Sequence, residues 1–296
     1  AYNAMQTLLA WNIIYDPFKD RAITPVSRIW NENWGGWVLF DWDTYFTAAM
    51  FAVDNKFHAF ANALAITNEI TGEGFIPNYS GSLLNKKSFD RSQPPVGSII
   101  TRLIYEKYPE PWFLESSFDK LLSWNRWWEK ERDNQGYLSW GSDPHPEGHL
   151  ANTKRAAKFE SGLDNSPLFD SAVYNPDKNM LELASVGLMS LYIADCRALA
   201  EIANILGKPE LREELVQRAD KYEERLRELW DEESGIYRDK DLSTGKLSER
   251  LAPTHFYPLI AGTPTQEQAE RMVNEHLLNP EKFYGEYMIP SISRDD

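Results

Sequence analysis

Apolar residues recur at helical spacing from one end of this chain to the other, and runs of strand alternation are scarce. A chain patterned in this way buries its apolar stripes by packing helix on helix, so the class read from the sequence is mainly α. Phe118, Leu121, Leu122, Trp124, Trp127 and Trp128 fall three and four apart, which predicts an amphipathic helix over 113–131 with its tryptophans in the core. Two long periodic segments, 180–206 and 210–230, are joined by Gly207-Lys208-Pro209, a stop and restart that predicts an antiparallel hairpin. Its second member is dense in charge, as a solvated outer face is. Residues 43–70 read as one or two helices broken near Asp54-Asn55-Lys56, 96–107 as another closed by Tyr108-Pro109, and 264–277 as the last.

The connections 71–95, 133–179 and 231–262 exceed ordinary loop length, which makes them candidates for function. Helical hairpins whose long loops gather on one side suggest an all-α architecture, an (α/α)6 toroid or barrel of inner and outer helices around a funnel. No linker divides residues 1–296, so a single domain is expected. Roughly eight to nine helical segments are legible where six closed hairpins require twelve, so the barrel is expected to be incomplete at its C-terminal end.

A formal net charge of −14 opposes binding to nucleic acid, and on the same reasoning acidic substrates are repelled. Asp, Asn, Glu or Lys interrupts each apolar stretch before the roughly 18 residues of a membrane span, so no membrane partner is expected. The start, Ala1-Tyr2-Asn3-Ala4-Met5, shows no basic region followed by an apolar block. Cys196 is the single cysteine, which excludes an intrachain disulfide, fits a reducing compartment and leans the expected localisation toward the cytoplasm. Lying in the helical run Leu191–Leu199, it reads as a buried, inert thiol. The 11 Trp and 14 Tyr can fill a core or present flat faces to a ligand such as a sugar ring.

Three short constellations could carry chemistry. Phe40-Asp41-Trp42-Asp43-Thr44-Tyr45-Phe46 follows Trp34-Gly35-Gly36-Trp37 and opens a helix. There Asp43 or Thr44 could serve as N-cap, or the interleaved aspartates and rings could form a sugar-binding surface, and both readings stay open. Asp90-Arg91-Ser92-Gln93-Pro94-Pro95-Val96-Gly97 is a rigid loop entering a helix, with Pro95 suited to the first turn and Arg91 and Gln93 free to face a funnel. Glu160-Ser161-Gly162-Leu163-Asp164-Asn165-Ser166-Pro167 sets two carboxylates around a glycine at what reads as a helix entrance, with Ser166 as cap and Pro167 at the first position.

Trp42-Asp43-Thr44, Ser92-Gln93-Pro94-Pro95 and Glu160-Ser161-Gly162-Leu163-Asp164, in that order, resemble glycoside hydrolase family 63, the α-glucosidase and mannosylglycerate hydrolase-like group of (α/α)6-barrel enzymes. The resemblance runs over essentially the whole chain. It implies inverting hydrolysis of a small α-glucoside or α-mannoside without an organic cofactor, with Asp164 as general acid and Phe40, Trp42, Asp43, Gln93, Glu160 and Gly162 at the sugar. Asp164 must then keep its proton near neutral pH, through partial burial or a neighbouring carboxylate such as Glu160. The family's base is a late Glu in a stretch of type E-N-Y-x-P after a Trp-Arg-Gly-rich helix entrance, and neither occurs here. The chain stops at Ser291-Ile292-Ser293-Arg294-Asp295-Asp296, about where that entrance would begin; Glu281 and Glu286 are poor substitutes by position, and the base is expected beyond this chain. The rival expectations are a trehalase-like inverting hydrolase and a carbohydrate-binding toroid without activity.

Two further patterns read as structural. His145 and His149 flank Pro146-Glu147-Gly148 without helical spacing or a third partner for a metal. Asp239-Lys240-Asp241-Leu242-Ser243-Thr244-Gly245 begins like a calcium loop, but its glycine falls one place late and Arg250 stands at the twelfth position, so a turn between short strands is expected.

Overall fold

The helices that the periodicity predicts pack as hairpins in a computed structural model that describes residues 2–26, 36–81, 86–146, 148, 150–287 and 289–296. Trp30, Trp34, Gly35, Glu147 and His149 lie outside the described residues. In chain order the helices are α1 (Tyr2–Asn12), α2 (Asp41–Phe51), α3 (Lys56–Thr67), α4 (Gly97–Lys107), α5 (Pro111–Arg132), α6 (Lys154–Glu160), α7 (Val186–Ile205), α8 (Pro209–Arg227), α9 (Pro258–Ala261) and α10 (Gln266–Arg271). A π-helical turn, Met272–Leu277, continues α10.

Local chemistry sets these limits. Asn55 accepts a hydrogen bond from the His58 N–H and starts α3, Ser185 does the same for α7 through the Leu188 N–H, and Pro111 and Pro209 open α5 and α8. α2, α4, α7 and α9 touch in succession, and α3, α5 and α8 back them. α7 is buried on nearly every side, as expected of a helix walled by neighbours. Trp124, Trp127 and Trp128 are core residues, and Cys196 is buried with its thiol pushed up to about 12, foremost by burial.

The departures lie in the long connections. Among the described residues, twelve short strands pair into antiparallel two-stranded ribbons: β1 (Ile14–Asp16) with β2 (Arg21–Ile23), β3 (Val38–Phe40) with β4 (Tyr79–Gly81), β5 (Asp133–Asn134) with β6 (Tyr137–Leu138), β7 (Tyr174–Asn175) with β8 (Met180–Leu181), β9 (Leu183–Ala184) with β12 (Lys240–Asp241), and β10 (Trp230–Asp231) with β11 (Ile236–Tyr237). Met180–Leu181 and Leu183–Ala184 are thus strand where helix is expected, and α7 starts only after the Ser185 cap. Segment 133–179 holds α6 and a 3-10 turn at Pro167–Phe169, so it is not irregular throughout. α8 is less uniformly solvated than its charge suggests: Arg218 and Glu223 are buried. Asp241 accepts hydrogen bonds from the Ser243 and Thr244 N–H groups and closes the turn expected there. No helix among the described residues is long and apolar enough to cross a membrane.

Candidate active site

A strand-to-helix junction delivers the first half of the site. β3 ends at Phe40, whose extended backbone leads directly into α2 without a side-chain cap, while the Asp41 N–H donates to the Asn78 carbonyl beside β4. The N-cap reading of Asp43 and Thr44 is therefore corrected: α2 already begins at Asp41, and the Thr44 hydroxyl donates back to the Phe40 carbonyl at 2.5 Å. Relieved of capping, Asp43 stands in the first turn, where the helix dipole favours an anion. Trp42 and Phe46 lie tilted together at 5.6 Å, and Phe40 meets Tyr79 edge-on at 6.5 Å, so the junction carries aromatic faces around Asp43.

Asp41 points the other way. It is wholly buried, with the Ser92 side chain and the Gln93 backbone beside its carboxyl. Burial first and the neighbouring Asp43 next push it well above the ordinary range, while the Gln93 backbone and the Ser92 hydroxyl pull it down.

The second half comes from α6 and the turn after it. Thr153 caps α6 by accepting from the Ala156 N–H, and Glu160 is its last residue, so the Glu160–Pro167 run lies at a helix exit rather than an entrance. The expected Ser166 cap and Pro167 start do occur, on a single 3-10 turn. Between them Gly162 takes φ +68°, and a Cβ there would stand 2.4 Å from Trp42 Cζ2. Glycine is thus needed twice over, for the left-handed backbone and for the close approach of the indole. This contact brings α2 and the Asp164 turn together.

Asp164 is exposed on the wall of a cavity of about 460 Å³ lined also by Lys154, Arg155, Lys158, Phe159, Asn165, Phe169 and Asp170. The surrounding protein pushes its carboxyl up, while its own N–H, Arg91 and Lys158 pull it down. Asp43 is raised as well, first by burial and in part by the charge of Asp164, so these two carboxylates share one electrostatic site.

A family model described as the mannosylglycerate hydrolase MGH1-like glycoside hydrolase domain matches residues 37–296. The chain belongs to this family. A mannosylglycerate hydrolase of Thermus thermophilus is 26% identical over 254 residues, which are 68% of this chain and 57% of that protein. The periplasmic trehalase of Escherichia coli is 24% identical over 283 residues, 82% of this chain and 49% of that one. The chain therefore spans about half the length of the curated relatives it matches. Among solved structures, the GH63 mannosylglycerate hydrolase from Thermus thermophilus in complex with glucose superposes with a TM-score of 0.78 at 22% identity, covering 100% of this chain and 79% of that chain. The neutral trehalase of Saccharomyces cerevisiae gives 0.70 at 17% identity, with 98% and 64% covered. The fold of this MGH1-like domain is that of the (α/α)6 toroid enzymes.

Against this framework several expected site residues of the MGH1-like domain change their role. Glu160 is not at a ligand surface: it is fully buried and accepts from Arg132 Nε at 2.8 Å and Nη2 at 3.0 Å, from the Gly141 N–H at 2.6 Å and from the Ser92 N–H at 3.1 Å. Burial pushes this carboxyl up and Arg132 pulls it down. With four donors converging on it, the ionised form is the one the site accommodates. Glu160 is therefore an anchor that fixes the end of α6 to α5 and to the Ser92-Gln93 loop. Of the two causes the sequence offered for a raised Asp164, burial is the one that acts, and Glu160 does not contribute.

Arg91 and Gln93 do not face open space. Arg91 is buried, donating to Asn78 Oδ1 at 3.0 Å and to both oxygens of Asp90, with its guanidinium over Phe159 at 5.3 Å. Gln93 is buried with Oε1 lacking a partner among the described residues. Pro94 and Pro95 precede α4, which begins at Gly97, so Pro95 is not in its first turn. His145 stacks on Phe89 at 4.9 Å.

Sequence reasoning missed Arg132, which besides Glu160 grips Asp143 at 3.0 and 3.1 Å and lies over Trp127 at 4.5 Å. It also missed the cationic face of α6. The four-residue step from Lys154 to Lys158, directly ahead of Glu160, is the signal that could have shown it.

Proposed function

We propose that this domain supplies the general acid of an inverting glycoside hydrolase that cleaves a small α-glucoside or α-mannoside, with Asp164 donating its proton to the leaving oxygen. The observation that supports it most is the placement of Asp164, on a turn seated against Trp42, electrostatically coupled to Asp43 and opening on a cavity. An acid must hold a proton in the ground state, and burial raises Asp164 in that direction. Asp43 and the faces of Phe40 and Trp42 form the wall that grips the sugar through its hydroxyls and apolar ring face. The proton passes from Asp164 to the leaving oxygen as the glycosidic bond breaks, which releases an alcohol. A carboxylate roughly 6.5–9.5 Å from the acid activates water on the opposite face.

A trehalase-like specificity is the second reading, supported by the 82% of the chain that aligns with the Escherichia coli enzyme. Mannosylglycerate, trehalose and an aryl α-glycoside, each offered to the protein with and without Asp164→Asn, separate the possibilities. Asp164-dependent cleavage of any of them supports the enzymatic reading, and the preferred substrate selects between its two forms. Equal rates in wild type and variant remove Asp164 from the acid role. Sugar binding without cleavage favours a carbohydrate-binding domain.

A further inference from the structure

With 45 acidic side chains against 31 basic ones, this chain offers most cations a partner. Lys19, Arg21 and Lys87 converge on Glu69, Arg126 and Arg218 on Glu214, and Lys221 on Glu129. The cations of α6 break that pattern. The Lys154 ammonium donates, among the described residues, only to the backbone carbonyl of Asp170, at 2.9 Å. Among the described residues, Arg155 rests on the Phe159 ring at 5.5 Å without an ion pair, and the Lys158 ammonium has neither a hydrogen bond nor an ion pair.

All three line the cavity that Asp164 opens on. The cavity holds two carboxylates against these three cations, Asp164 and Asp170, and Asp170 is already held by Arg250 at 2.8 Å. Lys154 is lowered by burial and by the charge of Lys158, the mark of cations crowded without an anion between them.

We propose that this cavity receives a phosphomonoester, so that the glycoside cleaved at Asp164 carries a phosphorylated leaving group. A phosphate brings close to two negative charges and three acceptor oxygens, one for each cation, where a carboxylate brings one charge and two oxygens. Phe159 and Phe169 offer apolar walls and Asn165 an amide for the carbon skeleton that bears it. The net charge of −14 does not forbid this, because at about 0.15 M salt charges beyond roughly 8 Å are screened and the local cations decide. The expectation that acidic substrates are repelled is thereby reversed for this cavity.

The inference rests on the glycosidase reading for which part of the ligand carries the phosphate, but its test is a binding measurement that needs no turnover. Calorimetric titration with glucose, glucose 6-phosphate, glycerate and inorganic phosphate should show glucose 6-phosphate binding roughly ten-fold or more tighter than glucose, the scale of one charge-assisted hydrogen bond. Inorganic phosphate should compete with it. K158Q and R155Q should each narrow the gap, and D164N, titrated at a pH where the Asp164 carboxyl is ionised, should widen it by removing a nearby negative charge, an opposite sign that general damage to the fold would not produce. Equal binding of glucose and glucose 6-phosphate overturns the proposal, and glycerate matching glucose 6-phosphate overturns it in favour of a carboxylate. If neutral glycosides are cleaved in an Asp164-dependent way while phosphate confers no advantage, this inference alone falls. If phosphate selectivity persists while D164N cleaves normally, the acid assignment falls instead.

Discussion

The indole of Trp42 occupies the space where any residue but glycine at 162 would place its Cβ, 2.4 Å from Cζ2. The contact ties the first turn of α2 to the turn that carries Asp164. Gly162→Ala should therefore destabilise the domain by about 2 kcal/mol or more, combining a left-handed backbone with an overpacked contact. It should also lower activity beyond what the lost stability explains. Trp42→Phe added to Gly162→Ala should recover part of the stability, because the narrower ring withdraws the clashing atom. Urea unfolding of the two variants beside wild type measures this.

The Arg132–Glu160 pair bridges positions 28 apart, and both side chains are fully buried. Breaking such a pair from one side strands a charge in the core, which costs roughly 3–5 kcal/mol. Arg132→Met should lose that much in urea unfolding. A loss under about 1 kcal/mol would contradict the anchoring role.

Glu69, buried among Lys19, Arg21, Lys87 and Ser80, is lowered to about 2; burial opposes the shift, and the hydrogen bonds from the two lysines drive it. Because its folded value lies below its unfolded one, its contribution is complete above about pH 4.5 and is lost as pH falls toward 2. That contribution is about 3 kcal/mol. The stability of wild type should therefore fall toward that of Glu69→Gln as pH is lowered from 5 to 3, and a constant gap would contradict the linkage.

Lys158 and Arg91 hold the Asp164 carboxyl down against burial. An acid works only while protonated, so kcat/KM should fall as pH rises through its pKa. Lys158→Gln should move that alkaline limb to higher pH, since it removes a cation that favours the charged form. A pH profile measured on a neutral glycoside reads the shift, and movement to lower pH would contradict the electrostatics.

The long helices were legible because their apolar residues repeat over many turns, and Asn55, Ser185, Pro111 and Pro209 mark where they start. Two-residue strands such as β8 and β9 are too short to show alternation, so Met180–Ala184 merged with the helix behind it. α6 has seven residues, three of them cations, and no apolar period to announce it. In the site, the order of Trp42, Asp43 and Asp164 could be seen in the chain, but the seating of Trp42 on Gly162 could not. Glu160 was misread because a carboxylate beside a glycine looks the same whether it faces a ligand or a guanidinium. Only the fold brings Arg132, Gly141 and Ser92 to it.

The central claim is that Asp164 delivers the proton to the leaving oxygen, and the most direct measurement compares Asp164→Asn with wild type on two α-glycosides that differ only in leaving group. A sugar or alkyl alcohol needs the proton, whereas a nitrophenolate departs without it. The variant should lose roughly 10²–10⁴-fold in kcat/KM on the poor leaving group and far less on the nitrophenyl glycoside. An equal loss on both, or no loss on either, would contradict the assignment.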